Sequence, residues 1–300
     1  MKRFIIPAAL LVLLAGCAKT EGDTPESRIP IRLTSGMTEV ATKAAIHTGD
    51  EFTAAIAGWE TNGTVDYAAI PSWNSRAVIS ASASAAGNAV TLDPAQYYAA
   101  DDDVKTYIKG WHPAEAPGND ALVHFAKNDD GSIDPMITAP VQGSKTDSDS
   151  KSLIFEHPTT QIRFEVEAGS GLDPQTKIRS ITVKNVQLPT GLNLADNSVI
   201  YTDTPADLPI PGVSEAEITP TAIPVGQPVM IKPLDTNTLT LDVTTSAASF
   251  TGITATIHGD TKLVPGKAYT ITLTFQQKEV LLKASVTDWN TSGTGSGTIE

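Results

Sequence analysis

The segment KAYTITLTF, residues 267–275, is followed after QQKE by VLLKASVTD, residues 280–288, and this pair of runs decides the fold class. In the first run, apolar residues alternate with threonine. In the second, every other position is apolar: Val280, Leu282, Ala284 and Val286. A period of two is typical of a β-strand with one buried face. The short polar connection between the runs predicts an antiparallel hairpin.

The same period recurs along the chain and predicts an all-β protein. Residues 162–167, 238–243 and 253–257 alternate clearly, and so do Ile29, Ile31 and Leu33 near the start. Pro30 lacks an N–H donor, which predicts an edge strand there. Asp93-Pro94 is the one helix-like start. We expect weaker strands over 52–59, 77–83, 104–110, 122–126 and 136–139.

Chain length and one polar stretch predict two domains. At about 150 residues per domain, 300 residues allow one or two. Residues 142–152 contain no apolar side chain, so we expect domains over 29–148 and 149–300, the second ending in a flexible tail. The proline-rich stretch 205–228 predicts an extended loop over the second domain.

The first 17 residues, MKRFIIPAALLVLLAGC, resemble a bacterial lipoprotein signal. A charged start precedes an apolar run that is too short to span a bilayer as a helix, and small residues precede the cysteine. We therefore expect cleavage between Gly16 and Cys17, a lipid on the Cys17 thiol and anchoring in the outer membrane. Residues 18–28 are polar and predict a solvated tether.

Charge and cysteine content exclude several functional classes. With 21 Lys and Arg against 34 Asp and Glu, the net charge is -13, which disfavours nucleic acids and anionic lipid surfaces. A single cysteine excludes an internal disulfide, a cysteine-rich zinc module and an iron–sulfur cluster.

No motif predicts catalysis, a metal site or a cofactor. The five histidines, His47, His112, His124, His157 and His258, are scattered without a ligand spacing. The stretch Asn128–Asp134 is similar to a calcium loop, but Ala139 stands where the closing glutamate belongs, so we interpret it as a glycine turn. A hydrolase would need convergent carboxylates or a nucleophile with a base, and no spacing shows them.

Tryptophans support an alternative from another class. If Trp59, Trp73 and Trp111 were exposed together on one sheet face, they could stack on sugar rings. The chain would then be a surface glycan-binding outer-membrane lipoprotein. This hypothesis requires coplanar, exposed indole rings.

Several separated segments together resemble the fimbrillin-like proteins of Bacteroidales, the subunits of type V pili. They are the lipoprotein leader, Ile29–Leu33, Thr42-Lys43-Ala44, Gly110–Pro113, Asp130–Asp134 with Ile137 and Ala139, Leu153–His157 and Val280–Trp289. The resemblance implies two transthyretin-like β-sandwich domains in series. It also implies a non-enzymatic fimbrial subunit that supports adhesion or biofilm formation.

The resemblance also implies a route of assembly. A trypsin-like protease would cut after the first strand, and loss of that strand would open a groove that a strand of another subunit fills. Ile29, Ile31 and Leu33 would then plug the groove before cleavage. The donor residues would be Val280, Leu282, Ala284 and Val286. Period-two alternation is equally compatible with ordinary core strands that are never exchanged.

The processing position departs from the family pattern. Arginine is usual there, whereas this chain has Lys43 before Ala44, with Arg28 and Arg32 as basic alternatives. Either a protease that accepts lysine acts, or the protein keeps its lipid and serves as an anchor. The role as stalk, tip or anchor therefore stays open at this point.

Overall fold

The computed structural model describes residues 28–37, 46, 50–80, 87–276, 280–288 and 294–296. Over these residues the chain forms strands and turns and no helix, which confirms the all-β prediction. Within the same residues, no helix is long and apolar enough to cross a membrane.

Among the described residues, eight of the nine strands of the first half form one bent sheet. Its order is β3-β2-β5-β7-β9-β1-β4, with β8 paired to β5, and the bend brings β1 and β4 close to β3. The apolar faces enclose a core that includes Phe52, Ile56, Leu153 and Phe155. The strand bounds are β1 Leu33–Met37, β2 Glu51–Thr61, β3 Trp73–Ser80, β4 Asn88–Val90, β5 Lys105–His112, β6 Leu122–His124, β7 Met136–Thr138, β8 Val141–Gly143 and β9 Lys151–Glu156.

The second half is a sandwich of two sheets. One has the order β16-β10-β19-β20-β21, and the other has the order β14-β11-β17-β18 with β15 beside β11. The alternating apolar residues of both sheets meet in a single core. The strand bounds are β10 Thr160–Ala168, β11 Lys177–Val186, β12 Pro189–Asn193, β13 Ser198–Tyr201, β14 Ala206–Pro209, β15 Ala216–Glu217, β16 Ile223–Ile231, β17 Thr238–Thr245, β18 Ser249–Thr256, β19 Lys267–Phe275, β20 Val280–Asp288 and β21 Thr294–Ser296.

Two local predictions were wrong. Residues 205–228 are not a long loop, because they contain β14, β15 and the start of β16. Pro224 and Pro228 are tolerated in β16 because this strand lies at the edge of its sheet. Asp93 starts no helix, since its N–H and C=O both bond to Arg76. In the expected C-terminal tail, Thr294–Ser296 pair with β20, and the flexibility of this tail stays a prediction.

The halves share strands across the expected boundary. The strand β9 follows the polar stretch but pairs with β1 and β7 of the first half, so the strand pairing changes sheet after Glu156. A small third sheet, β13-β12-β6, joins β6 of the first half to a hairpin of the second. The division at 148 remains a proposal, and these pairings favour a later crossing.

A buried lysine ties β5 to the second half. The Lys109 side chain, 2% exposed, donates to the Leu194 carbonyl at 2.6 Å and to Asn197 Oδ1 at 2.7 Å. Its ammonium also lies 3.9 Å from the centre of the Tyr67 ring. Burial lowers the pKa of Lys109 to about 8, and the nearby Asp196 acts in the opposite direction.

The loop 128–134 forms a second tie. The Gly131 carbonyl accepts from Met230 N–H at 2.7 Å, and Asn128 Nδ2 donates to the Pro189 carbonyl at 2.9 Å. Gly131 has a φ of +72°, and a Cβ there would lie 3.1 Å from the Val229 Cβ. This glycine therefore allows the loop to dock closely on the second half.

Replacing Lys109 tests the first tie. We expect Lys109→Met to lower the free energy of unfolding by about 1–3 kcal/mol, because two buried acceptors lose their donor. Urea denaturation at pH 7 measures the change. Lys105→Met, at an exposed position of the same strand, is the matched control and should change little. Equal effects of the two substitutions on the free energy of unfolding would contradict the claim that the hydrogen bonds of Lys109 stabilise the contact between the halves.

The pH dependence of the same variant gives a second readout. The folded pKa of Lys109, about 8, lies below its ordinary value of 10.5. Between these values the unfolded chain binds more protons, so Lys109 makes the free energy of unfolding rise with pH. The difference between the wild-type protein and Lys109→Met should therefore grow from pH 8 to pH 10.

Candidate functional site: the first strand and its groove

The N-terminal segment, residues 28–37, enters the first half along a neighbouring loop. Tyr98 N–H donates to the Ile29 carbonyl at 3.0 Å, and Ile31 N–H donates to the Gln96 carbonyl at 2.9 Å. Pro30 lies between these two bonds, where a missing N–H costs nothing. The segment is thus held by main-chain bonds before β1 begins.

Pro30 predicted an edge position for this strand, and that prediction was wrong, because β1 is paired on both sides. It runs parallel to β9, with Leu33 opposite Lys151 and Met37 opposite Phe155. On its other side it runs antiparallel to β4, with Leu33 opposite Val90. Because Pro30 precedes β1, the strand can be bonded on both sides.

The side chains of the segment complete the core of the first half. Ile31 is 7% exposed, Leu33 3% and Met37 3%, and Ile29 packs partly buried against the same cluster. These residues contact a core that includes Leu153 and Phe155 of β9. Removal of residues 28–37 would therefore expose an apolar groove beside β9.

Ser35 interrupts this apolar row, and the next residue, on the opposite face, is Gly36. Ser35 is 1% exposed, and its hydroxyl has no hydrogen-bond partner, while Gly36 is buried on the opposite face of the strand. A buried hydroxyl without a partner weakens the seating of β1. The strand β1 therefore gains no stabilisation from the serine hydroxyl.

Gly87 sets how closely β1 approaches β4. It has a φ of +56°, and a Cβ there would lie 2.3 Å from the Ser35 carbonyl oxygen. Any other residue would both strain its own backbone and push β1 outward.

A cavity of about 520 Å³ lies where the segment begins. Arg28 and Ile29 line it together with Trp73, Tyr97 and Tyr98. Because two lining residues belong to the N-terminal segment, loss of that segment would widen this cavity.

The predicted donor residues lie in β20, next to β19 in the second half. Leu282 is 9% exposed and Ala284 is fully buried, whereas Val280 and Val286 pack partly buried against the same core. On the opposite face, Leu281 is 47% exposed. The structure thus gives β20 one apolar face, in the same alternation as β1.

The other predicted site residues lie outside the described residues. These are Gly16 and Cys17 of the signal and Lys43 and Ala44 of the processing position. Ile46, which follows that position, packs partly buried against the core that holds β1.

The tryptophan platform required for glycan binding is not formed. Trp59 is 4% exposed and Trp111 is fully buried, and both indole N–H groups bond to backbone carbonyls. Trp73 is half-buried, with its ring packed over Gly58. The condition that the glycan-binding alternative requires is therefore not met, because two of the three indole rings face the core around β6 and β12.

The histidines show one pairing that their sequence spacing does not reveal. His157 Nδ1 lies 2.9 Å from Asp134 Oδ1, and both side chains are buried. His157 stands in the short connection between β9 and β10. The loop similar to a calcium loop thus uses Asp134 to hold this connection. Among the described residues, no group of three or more His, Cys, Asp or Glu could hold a metal ion.

Ser35→Ala tests the unpaired hydroxyl. We expect this variant to raise the free energy of unfolding by about 1 kcal/mol, because it removes a buried polar group that has no partner. Urea denaturation provides the measurement, and Thr34→Ala, at a half-exposed position of β1, is the control. A loss of stability in Ser35→Ala would show that the hydroxyl is bonded.

Gly87→Ala tests the close approach of β4 to β1. We expect a loss of about 1–3 kcal/mol, since the new methyl group overlaps the Ser35 backbone. Gly63→Ala is the matched control, because the nearest atom to its Cβ is a threonine hydroxyl at 3.7 Å. Unchanged stability of Gly87→Ala would mean that β4 does not press against β1.

The chain resembles known proteins both in its sequence and in its fold. The sequence profile of the fimbrillin-like family matches residues 38–289. No curated protein sequence matches the chain.

Solved structures share the fold at low sequence identity. A candidate cell adhesion protein from Bacteroides uniformis is 18% identical, with a TM-score of 0.59 over 87% of this chain and 99% of that chain. A second, from Bacteroides ovatus, is 16% identical, with a TM-score of 0.58 over 89% and 100%. A fimbrial protein from Bacteroides vulgatus is 14% identical, with a TM-score of 0.50 over 86% and 99%.

The family match covers most of the chain, including every strand from β2 to β20. The chain therefore belongs to the fimbrillin-like family, and it is a structural subunit rather than an enzyme.

Proposed function

We propose that this chain is a subunit of a cell-surface fimbria that polymerises by strand exchange and supports adhesion or biofilm formation. The observation that carries the proposal is the position of β1 between β9 and β4. A five-residue strand near the N-terminus completes both the core and the hydrogen bonding of a sheet whose other strands come from residues 51–156. Such a strand can be replaced by another chain without rearranging its neighbours.

Cleavage at Lys43 would free this strand. Lys43 lies six residues after Met37, outside the described residues, so a cut there would leave β1 held only by non-covalent contacts. A trypsin-like maturation protease that accepts lysine would then start assembly. Its product would expose the edge of β9 and the apolar core behind it.

Lipidation of Cys17 would deliver the uncut precursor to the outer membrane. The lipid would be attached to the same end of the chain as β1, so cleavage would release the subunit from its anchor and open its groove in one step. The partners are then other fimbrial subunits, of this chain or of related chains. A copy that escapes cleavage would stay lipidated and act as an anchor.

Mild trypsin digestion tests this mechanism. On a soluble form that starts at residue 18 and so lacks the lipidated Cys17, we expect a prompt cut after Lys43, release of the N-terminal segment and growth of SDS-resistant oligomers. Lys43→Gln should stay monomeric, whereas Lys43→Arg should behave as the wild-type chain because trypsin cuts after both basic residues. Mass spectrometry identifies the cut, and size-exclusion chromatography follows the oligomers.

Two results of this experiment would contradict the proposal. One is a cut at Lys43 that leaves a stable monomer. The other is polymerisation of Lys43→Gln at the wild-type rate, which would separate assembly from cleavage at this position.

A further inference from the structure

We infer that the cavity of about 520 Å³ beside the N-terminal segment is a binding site for a neutral saccharide. The cavity lies where residues 28 and 29 enter the first half, before β1 begins. It is a recess, not a flat platform of indole rings, and its volume falls in the range of about 300–1,000 Å³ that small-ligand sites occupy. The inference goes beyond the proposed function, because it concerns the uncut chain and requires no strand exchange.

An acidic residue ends the apolar inner row of β2. Phe52, Ala54 and Ile56 face the core of the first half, and a period of two places Gly58 and Glu60 on the same face. Glu60 lines the cavity. A carboxylate therefore stands where continuation of the row would place another apolar side chain.

The carboxylate of Glu60 has no partner among the described residues. The main-chain N–H of Glu60 donates to Ser72 Oγ at 3.0 Å, but no hydrogen bond or ion pair joins the carboxylate itself to another described residue. Burial raises the pKa of this carboxyl group. Because a half-buried charge without a donor is unfavourable, a ligand that donates hydrogen bonds would stabilise it.

Aromatic rings form other walls of the same cavity. Trp73, Tyr97 and Tyr98 line it, and Tyr97 is 39% exposed. A Cβ at Gly58 would lie 2.2 Å from Trp73 Cε2, so glycine at this position allows the indole to lie directly against β2. The C–H face of a sugar ring can stack on such flat apolar surfaces while its hydroxyl groups reach the polar side chains beside them.

The charges around the cavity favour a neutral ligand. Arg28 lines it as well, and among the described residues its guanidinium makes no ion pair. The Lys145 ammonium, also in the wall, is already bonded to the Ala100 carbonyl at 3.0 Å and to Asp102 at 3.2 Å. A cation would be attracted by Glu60 but repelled by Arg28, and the reverse holds for an anion. A hydroxyl group suits both residues, because it donates to a carboxylate and accepts from a guanidinium.

The N-terminal segment is one wall of this site. Arg28 and Ile29 line the cavity, and the Ile29 carbonyl accepts from Tyr98 N–H at 3.0 Å. The segment and the loop to which it is bonded therefore form the site together. Removal of the segment would remove Arg28, so the site belongs to the uncut chain.

Binding of simple sugars to the uncut chain tests the inference. The protein is the soluble form that starts at residue 18, kept free of protease. The probes are glucose, galactose, mannose, fucose and N-acetylglucosamine, with glucosamine and glucuronate as cationic and anionic counterparts of glucose. Saturation-transfer NMR detects binding, and isothermal titration calorimetry measures the affinity. We expect at least one neutral sugar to bind more tightly than either charged sugar.

Two substitutions with matched controls locate the binding. We expect Glu60→Ala to weaken it at least about tenfold, because hydrogen bonds to a charged group are lost. Its control is Glu51→Ala, at an exposed position of the same strand. Arg28→Ala should weaken binding at least about threefold for the same reason. Arg32→Ala, which changes an exposed arginine of the same segment outside the cavity, should leave the affinity unchanged.

Several results would overturn the inference. One is that no neutral sugar binds, and another is that a charged sugar binds more tightly than every neutral one. A third is that Glu60→Ala or Arg28→Ala binds the sugar as tightly as its control. None of these results bears on the proposed function, which the trypsin experiment tests separately.

Discussion

The parallel pairing of β1 with β9 joins residues that are more than a hundred positions apart in the chain, and the integrity of the first half depends on it. When β1 and β4 are taken away, β9 is the last strand along the path of its sheet, and its Leu153 and Phe155 are fully buried in the core that the segment completes. An uncovered edge of this kind exposes main-chain donors and acceptors together with an apolar face. A strand in the groove saturates this edge and covers this face, which is what the proposed exchange requires of its incoming strand.

The rest of the molecule holds β9 in place independently of β1. On its other side β9 pairs with β7, and immediately after it the chain crosses to the second half through the buried His157, which pairs with Asp134. The loop that carries Asp134 bonds to Met230 of the second half, and Lys109 adds a tie from β5. These contacts hold β9 from the side opposite to β1, so in the proposed exchange only the occupant of the groove would change.

The all-β class and most strands follow from alternation alone, because one buried and one exposed face impose a period of two on each strand. Alternation does not reveal which strands are neighbours in a sheet. Pro30 therefore predicted an edge position for β1, whereas β4 pairs with β1 on the side away from β9. The ties between the halves also left no signal in the sequence. His157 and Asp134 are 23 residues apart in the sequence. The acceptors of Lys109 are a backbone carbonyl and an asparagine side chain, and no sequence motif marks such a pair.

Amide hydrogen exchange of Lys151–Phe155 tests the central claim most directly, because these amides report whether a strand lies beside β9. The measurement compares the uncut chain, the freshly cut chain freed of its first segment, and the assembled polymer. The account predicts protection in the uncut chain, loss of protection after removal of the segment, and recovery in the polymer. Protection that persists unchanged in the freed monomer would show that β9 does not depend on β1, and it would contradict the account.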